Sequence, residues 1–127
     1  MASVQLDILK REYKKFTILE LYGEISTHSI VYFRTALQKL IQAQPLNLAL
    51  DFIGISHLDS AGIGFLINLK KMINGQGGSY CLINFSESLY EMVEMSNIQQ
   101  IVKVFHSEEE FQKGVNLLET SKEKIIW

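Results

Sequence analysis

The residue types that do chemistry crowd together at His57-Leu58-Asp59-Ser60, just ahead of Gly62 and Gly64. A serine, a histidine and an aspartate suggest a hydrolase triad. However, Leu58-Asp59-Ser60-Ala61-Gly62 lacks the Gly-x-Ser-x-Gly turn of a nucleophile elbow. Triad members also come from separate segments rather than from neighbours two or three apart. A dinucleotide-binding turn fails as well, because position 67 is Ile67 and not a third glycine. There is no Gly-Lys-Ser or Gly-Lys-Thr of a phosphate loop. His28, His57 and His106 are far apart, and no pair has metal-ligand spacing, so each reads as a surface or loop residue. Cys81 is the single cysteine and sits in Tyr80-Cys81-Leu82-Ile83, which reads as a small buried hydrophobe. No catalytic residue, metal or cofactor is therefore expected, and the chain does not read as an enzyme.

What remains is a hydroxyl at the joint between a strand and a helix. Leu46, Leu48, Leu50 and Phe52 alternate with Asn47, Ala49 and Asp51, the period of a strand with one strongly apolar face. From Ala61 the apolar spacing becomes helical through Ile63, Phe65, Leu69 and Ile73, predicting a loop after Phe52 and a helix over 60–74. A helix N-terminus carries unpaired N–H groups and partial positive charge, and so tolerates an anion. Asp59 and Ser60 are both capping residue types. Ser60 thus reads either as a simple cap or as an exposed hydroxyl beside anion-stabilising groups. Two glycines in one helical turn cost ~1 kcal/mol each relative to alanine, which implies a close approach of backbone or of a partner.

The other elements follow from patterning. Residues 6–12 and 16–22 read as two strands of a hairpin across a polar link. A helix is expected from about His28 to Gln42, with Ser26 or Thr27 as its cap and Pro45 helping to end it. A strand over 79–84 and a helix over 86–96 come next, the latter opened by Ser88 and Glu91 at capping-box spacing, with Leu89, Met92 and Val93 inward. Asn97 suits a left-handed position. A short strand over 101–105 precedes a last helix capped by Ser107, whose Glu108, Glu109 and Glu110 suit the dipole of the first turn. The order α-β-α-β-α-β-α after the hairpin predicts an α/β fold with mainly parallel pairing in the later strands.

The chain has 127 residues, 47% apolar and 20% charged, with a net charge of −2. That suits one globular domain. It argues against a nucleic-acid partner, which usually meets a basic patch. No run of 18 apolar residues is present, so membrane insertion is not expected.

Leu58-Asp59-Ser60-Ala61-Gly62-Ile63-Gly64-Phe65-Leu66, after the strand ending at Asp51-Phe52, resembles the signature of the STAS family, which includes bacterial anti-sigma factor antagonists. The family pattern is apolar, Asp, Ser, small, Gly, apolar, Gly, and its phosphorylatable serine matches Ser60. The resemblance extends from residue 6 to residue 118. Gly23-Glu24-Ile25 resembles a second family stretch, but Ser26 stands where the family usually has Asp, and Asn97 stands where it usually has Gly.

The resemblance implies a STAS-like mixed β-sheet covered by about four helices, with residues 1–120 as one domain and 121–127 as a tail that packs back, serves a partner or is disordered. It implies a cytoplasmic anti-sigma factor antagonist, a monomer or weak dimer. Such a protein binds an anti-sigma factor that is also a serine kinase, frees a sigma factor, is switched off by phosphorylation of Ser60, and is reset by a serine phosphatase. The implied partner-binding residues are Asp59, Ser60, Ala61, Gly62, Ile63, Gly64, Glu24 and Ser26. Alternatives are a subunit or scaffold of another assembly, stressosome-like or lipid-transporting, and a nucleotide-binding sensor.

Overall fold

A computed structural model describes residues 6–42, 46–84, 87–89, 91, 97–120 and 127. Strands β1 (Leu6–Tyr13) and β2 (Phe16–Ile25) form the expected hairpin, in register from Leu6↔Gly23 to Tyr13↔Phe16. Only Lys14 and Lys15 connect them, and Lys14 takes the left-handed conformation that so short a link demands (φ 53°). Then come α1 (Ile30–Ile41), β3 (Leu48–Leu58), α2 (Ser60–Gly75) and β4 (Tyr80–Ile83). The helical residues 87–89 and 91 belong to α3. A 3-10 turn (Ile98–Gln100), β5 (Lys103–Phe105) and α4 (Glu108–Thr120) complete the order.

The sheet is mixed, in the order β1-β2-β3-β4-β5, antiparallel at the hairpin and parallel thereafter. Strand order equals chain order, so every crossover steps the same way. One hand for all crossovers then stacks their helices on one face. Accordingly Phe33, Leu37 and Ile41 of α1, with Phe65, Leu66, Leu69 and Ile73 of α2, pack on the face made by Leu19, Leu21, Leu48 and Leu50. Helix α4 leaves the last strand and takes the other face, where Phe111 and Val115 meet Phe16, Ile18, Ala49 and Cys81. The Phe16 and Phe105 rings pack against Phe111 at 5.3 and 5.9 Å and against Trp127 at 5.4 and 5.1 Å. Trp127 therefore packs back onto the domain; residues 121–126 lie outside the described residues.

Strand β3 departs most from expectation. The alternation predicts a strand ending at Phe52 with one buried face and then a loop. The strand instead runs to Leu58, and Leu48 through Phe52 are all buried. It is the middle strand, covered on both sides, so alternation measures only part of its burial. Its second half is held by parallel pairing with the long β2, through a register shift between Glu20 and Tyr22. Gly54 permits this: an added Cβ there would lie 2.1 Å from Cδ1 of Tyr22. Ser56 accordingly belongs to a strand, not to a loop.

Asp51 is 1% exposed in this strand. It accepts hydrogen bonds from Arg11 Nη2 (3.1 Å), the Ile53 N–H (3.0 Å) and Asn84 Nδ2 (3.0 Å). The same guanidinium pairs with Glu20 and with both oxygens of Glu108. Glu108 thus docks the start of α4 onto β1 and β3, beyond the dipole role expected of it. Ser107 caps α4 as expected, accepting the Glu110 N–H at 3.1 Å, while Glu110 accepts the His106 N–H at 3.0 Å.

Several boundaries shift. Helix α1 begins at Ile30, not near His28, and its N-cap is Ser29, not Ser26 or Thr27. The last strand is Lys103–Phe105, because Ile98–Gln100 winds into a 3-10 turn after Asn97, which is left-handed as expected (φ 61°). Leu89 is buried as predicted. Met92 and Val93 lie outside the described residues.

Candidate functional site at the start of α2

Only Asp59 separates β3 from α2, so the end of the central strand delivers the helix N-terminus to the rim of the sheet, where α/β folds place their sites. Asp59 is the N-cap, in extended geometry (φ −99°, ψ 179°). Its Oδ1 accepts the Gly62 N–H at 2.8 Å. Its Oδ2 accepts the Thr27 N–H at 3.0 Å and the Thr27 hydroxyl at 3.3 Å. Its own N–H donates to the Ile25 carbonyl at 3.3 Å. One residue thereby caps α2 and ties it to the loop between β2 and α1. The donors from Thr27 and Gly62, with a smaller contribution from His57, hold its carboxyl below the usual carboxylate range.

Ser60 is the first helical residue and is exposed. Because Asp59 caps the helix, Ser60 does not, and its hydroxyl has no partner among the described residues. The first intrahelical bond runs from the Ile63 N–H to the Asp59 carbonyl at 3.0 Å, leaving the N–H groups of Ser60 and Ala61 ahead of it. The nearby Ser56 hydroxyl, by contrast, donates to the Gly23 carbonyl at 3.2 Å.

The two glycines do different things. A Cβ on Gly62 would lie 2.3 Å from the Ile25 carbonyl oxygen, so this glycine lets the end of β2 back onto the helix. A Cβ on Gly64 would meet nothing within 4 Å. Gly64, Ala61 and Ser60 form an exposed patch of bare helix surface, with half-buried Ile63 beside it.

Other predicted positions fall differently. Glu24 is half-exposed at the rim, beside His57 in the β2–β3 register. Ser26 is only 2% exposed. Its N–H donates to Ser29 Oγ at 3.0 Å and its Oγ accepts the His28 N–H at 3.2 Å, so it shapes the loop from within. Gly62 is buried as well. Neither has an exposed side chain in this structure. Sequence reasoning missed Thr27, whose link to Asp59 spans 32 positions and leaves no local pattern.

Among the described residues no three or more His, Cys, Asp or Glu side chains are grouped to hold a metal ion. Cys81 is buried, and burial pushes its thiol far above the usual range, away from a reactive thiolate. No described helix is long and apolar enough to cross a membrane.

The fold and motif have clear counterparts. An anti-sigma-B factor antagonist of Bacillus subtilis is 32% identical over 82 residues, 65% of this chain and 74% of that protein. An anti-sigma factor antagonist from Mycobacterium paratuberculosis superposes with a TM-score of 0.79 at 13% identity, over 91% of this chain and 97% of the other. The anti-sigma factor antagonist SpoIIAA in its unphosphorylated form superposes at 0.70, with 17% identity, over 87% of this chain and 97% of the other. Its phosphorylated form from Bacillus superposes at 0.62. The STAS domain model matches residues 7–111, most of the described sheet and the helix end that carries Ser60, and the chain belongs to the STAS family.

Proposed function

We propose that this protein is an anti-sigma factor antagonist whose binding surface is the start of α2 and whose switch is phosphorylation of Ser60. The observation that carries the reading is the division of labour at the helix end. Asp59 does the capping, so the adjacent Ser60 is left exposed without a structural task. The named relatives supply the class of partner, an anti-sigma factor; the family resemblance implies that this partner also acts as a serine kinase and that a serine phosphatase resets the site. The protein is then a substrate of the kinase rather than an enzyme.

Phosphorylation adds about −1.5 to −2 charges at Ser60. The free N–H groups and the helix dipole favour the anion by roughly 0.3–1 kcal/mol at an exposed site, and Asp59 opposes it with like charge. These small terms leave the fold unchanged. At an interface the balance differs, because a dianion must lose water against a surface shaped for a neutral hydroxyl, and a buried unpaired charge costs several kcal/mol. A loss of ~2.7 kcal/mol weakens binding about a hundredfold.

The test is binding of Ser60→Asp to the anti-sigma partner recovered from native cells. Affinity should fall by about that factor while the melting temperature and the backbone NMR shifts away from the start of α2 stay at wild-type values. Shifts spread through the sheet would show a conformational switch instead.

A further inference from the structure

A groove of about 410 Å³ lies on a different part of the molecule, between α1 and the edge strand β1. Ile8, Leu19, Tyr32, Thr35, Ala36 and Leu40 line it, and Lys10 and Lys39 are the charged residues among its described lining. Its volume is that of a small-molecule site. Neither lysine has an ion-pair partner among the described residues. Lys39 also suits the negative end of the α1 dipole, but Lys10, in a strand, has no such reason to be there.

The topology gives the groove a polarity. Helix α1 is the crossover between parallel β2 and β3 and so runs antiparallel to them. Strand β1 is antiparallel to β2, so α1 and β1 run the same way. Ile8 therefore lies toward the Tyr32 end, and Lys10 toward the Lys39 end. Tyr32, Ala36 and Lys39 or Leu40 are successive turns of one helix face, which makes the trench about 10 Å long. The result is a largely apolar groove with two lysines toward one end and no carboxylate among its described lining.

We propose that this groove binds a single-chain anionic amphiphile, with its carboxylate or phosphate head between Lys10 and Lys39 and its hydrocarbon chain along Leu19, Ala36 and Leu40 toward Tyr32. The proposal is independent of the role of Ser60.

Decanoate is the probe, titrated below its micelle concentration against the full chain and followed by calorimetry and backbone-amide NMR. Saturable binding should move the amides around Ile8, Leu19, Ala36 and Leu40. The double variant Lys10→Glu/Lys39→Glu should weaken it by roughly tenfold or more, and uncharged decanol should bind as weakly to wild type as decanoate binds to that variant. Ala36→Phe, which puts a large side chain into the lining and keeps both lysines, should abolish binding with the melting transition retained. Equal affinity for decanoate and decanol, indifference to charge reversal, or amide shifts elsewhere would overturn the proposal. So would binding only to anionic vesicles, or dimerisation of the chain through this face.

Discussion

The carboxylate of Asp59 accepts the Gly62 N–H at 2.8 Å, so the capping role at this helix end falls to Asp59 and not to Ser60. With the cap supplied by its neighbour, the serine contributes nothing to the helix end. Asp59→Ala should therefore destabilise the protein by about 1–2 kcal/mol, the usual cost of a lost cap. Ser60→Ala should stay within about 0.5 kcal/mol of wild type. Urea unfolding curves of the two variants measure this, and equal losses would mean that the hydroxyl is structural after all.

The pH dependence follows from the same contacts. Hydrogen bonds from Thr27 and Gly62 lower the folded-state pKa of Asp59 below its unfolded value. Contacts with Arg11 and then Tyr22 do the same for Glu20. A depressed carboxyl contributes stability that is fully present above its unfolded pKa, about 4, and is lost as pH falls through the folded value. Thermal stability should thus be level through neutral pH and decline below about pH 4. Asp59→Asn should make that acid decline shallower, and an unchanged slope would remove Asp59 from the explanation.

Gly62 and Gly64 should answer oppositely to alanine. Gly62→Ala drives a methyl into the Ile25 carbonyl and should cost about 1–3 kcal/mol, as overpacking does. Gly64→Ala enters open space and should stabilise the helix by up to about 1 kcal/mol. The same Gly64→Ala should weaken binding of the anti-sigma partner by masking bare helix backbone. Stability and affinity measured together on one variant separate the two roles.

Arg11 is predicted to matter more for stability than its place on a half-exposed strand suggests. Arg11→Ala strands the buried Asp51 carboxylate, which among the described residues retains the Ile53 N–H and Asn84. Breaking a buried pair costs 3–5 kcal/mol. About 3 kcal/mol is expected here, because the Arg11 side chain is itself 32% exposed. Asp51→Asn in the Arg11→Ala background should recover part of the loss, since a neutral amide tolerates burial better. Denaturation of the single and double variants tests the coupling.

Much of this architecture is legible in the sequence, and what is not has specific causes. The hairpin is readable because strand formers flank a charged link, and α2 because its apolar residues recur at helical spacing. The second half of β3 is not, since the apolar alternation ends at Phe52 and the strand continues only through its pairing with β2, where Gly54 makes room for the Tyr22 ring. The Arg11 network joins β1, β2, β3 and α4 across up to 97 positions, beyond the reach of any local pattern. At the site, Asp59 and Ser60 are both capping types, and composition cannot choose between them. The choice comes from Thr27, which follows the neighbouring strand β2 at the same edge of the sheet and holds the Asp59 side chain in place.

The most direct measurement is the position of the phosphate. The chain is incubated with ATP and the serine kinase that co-purifies with it from native cells, and then mapped by tandem mass spectrometry. A single phosphate on Ser60, absent from Ser60→Ala, is the predicted result. Phosphate on Ser56 or Thr27 instead, or an undiminished signal in Ser60→Ala, would contradict it.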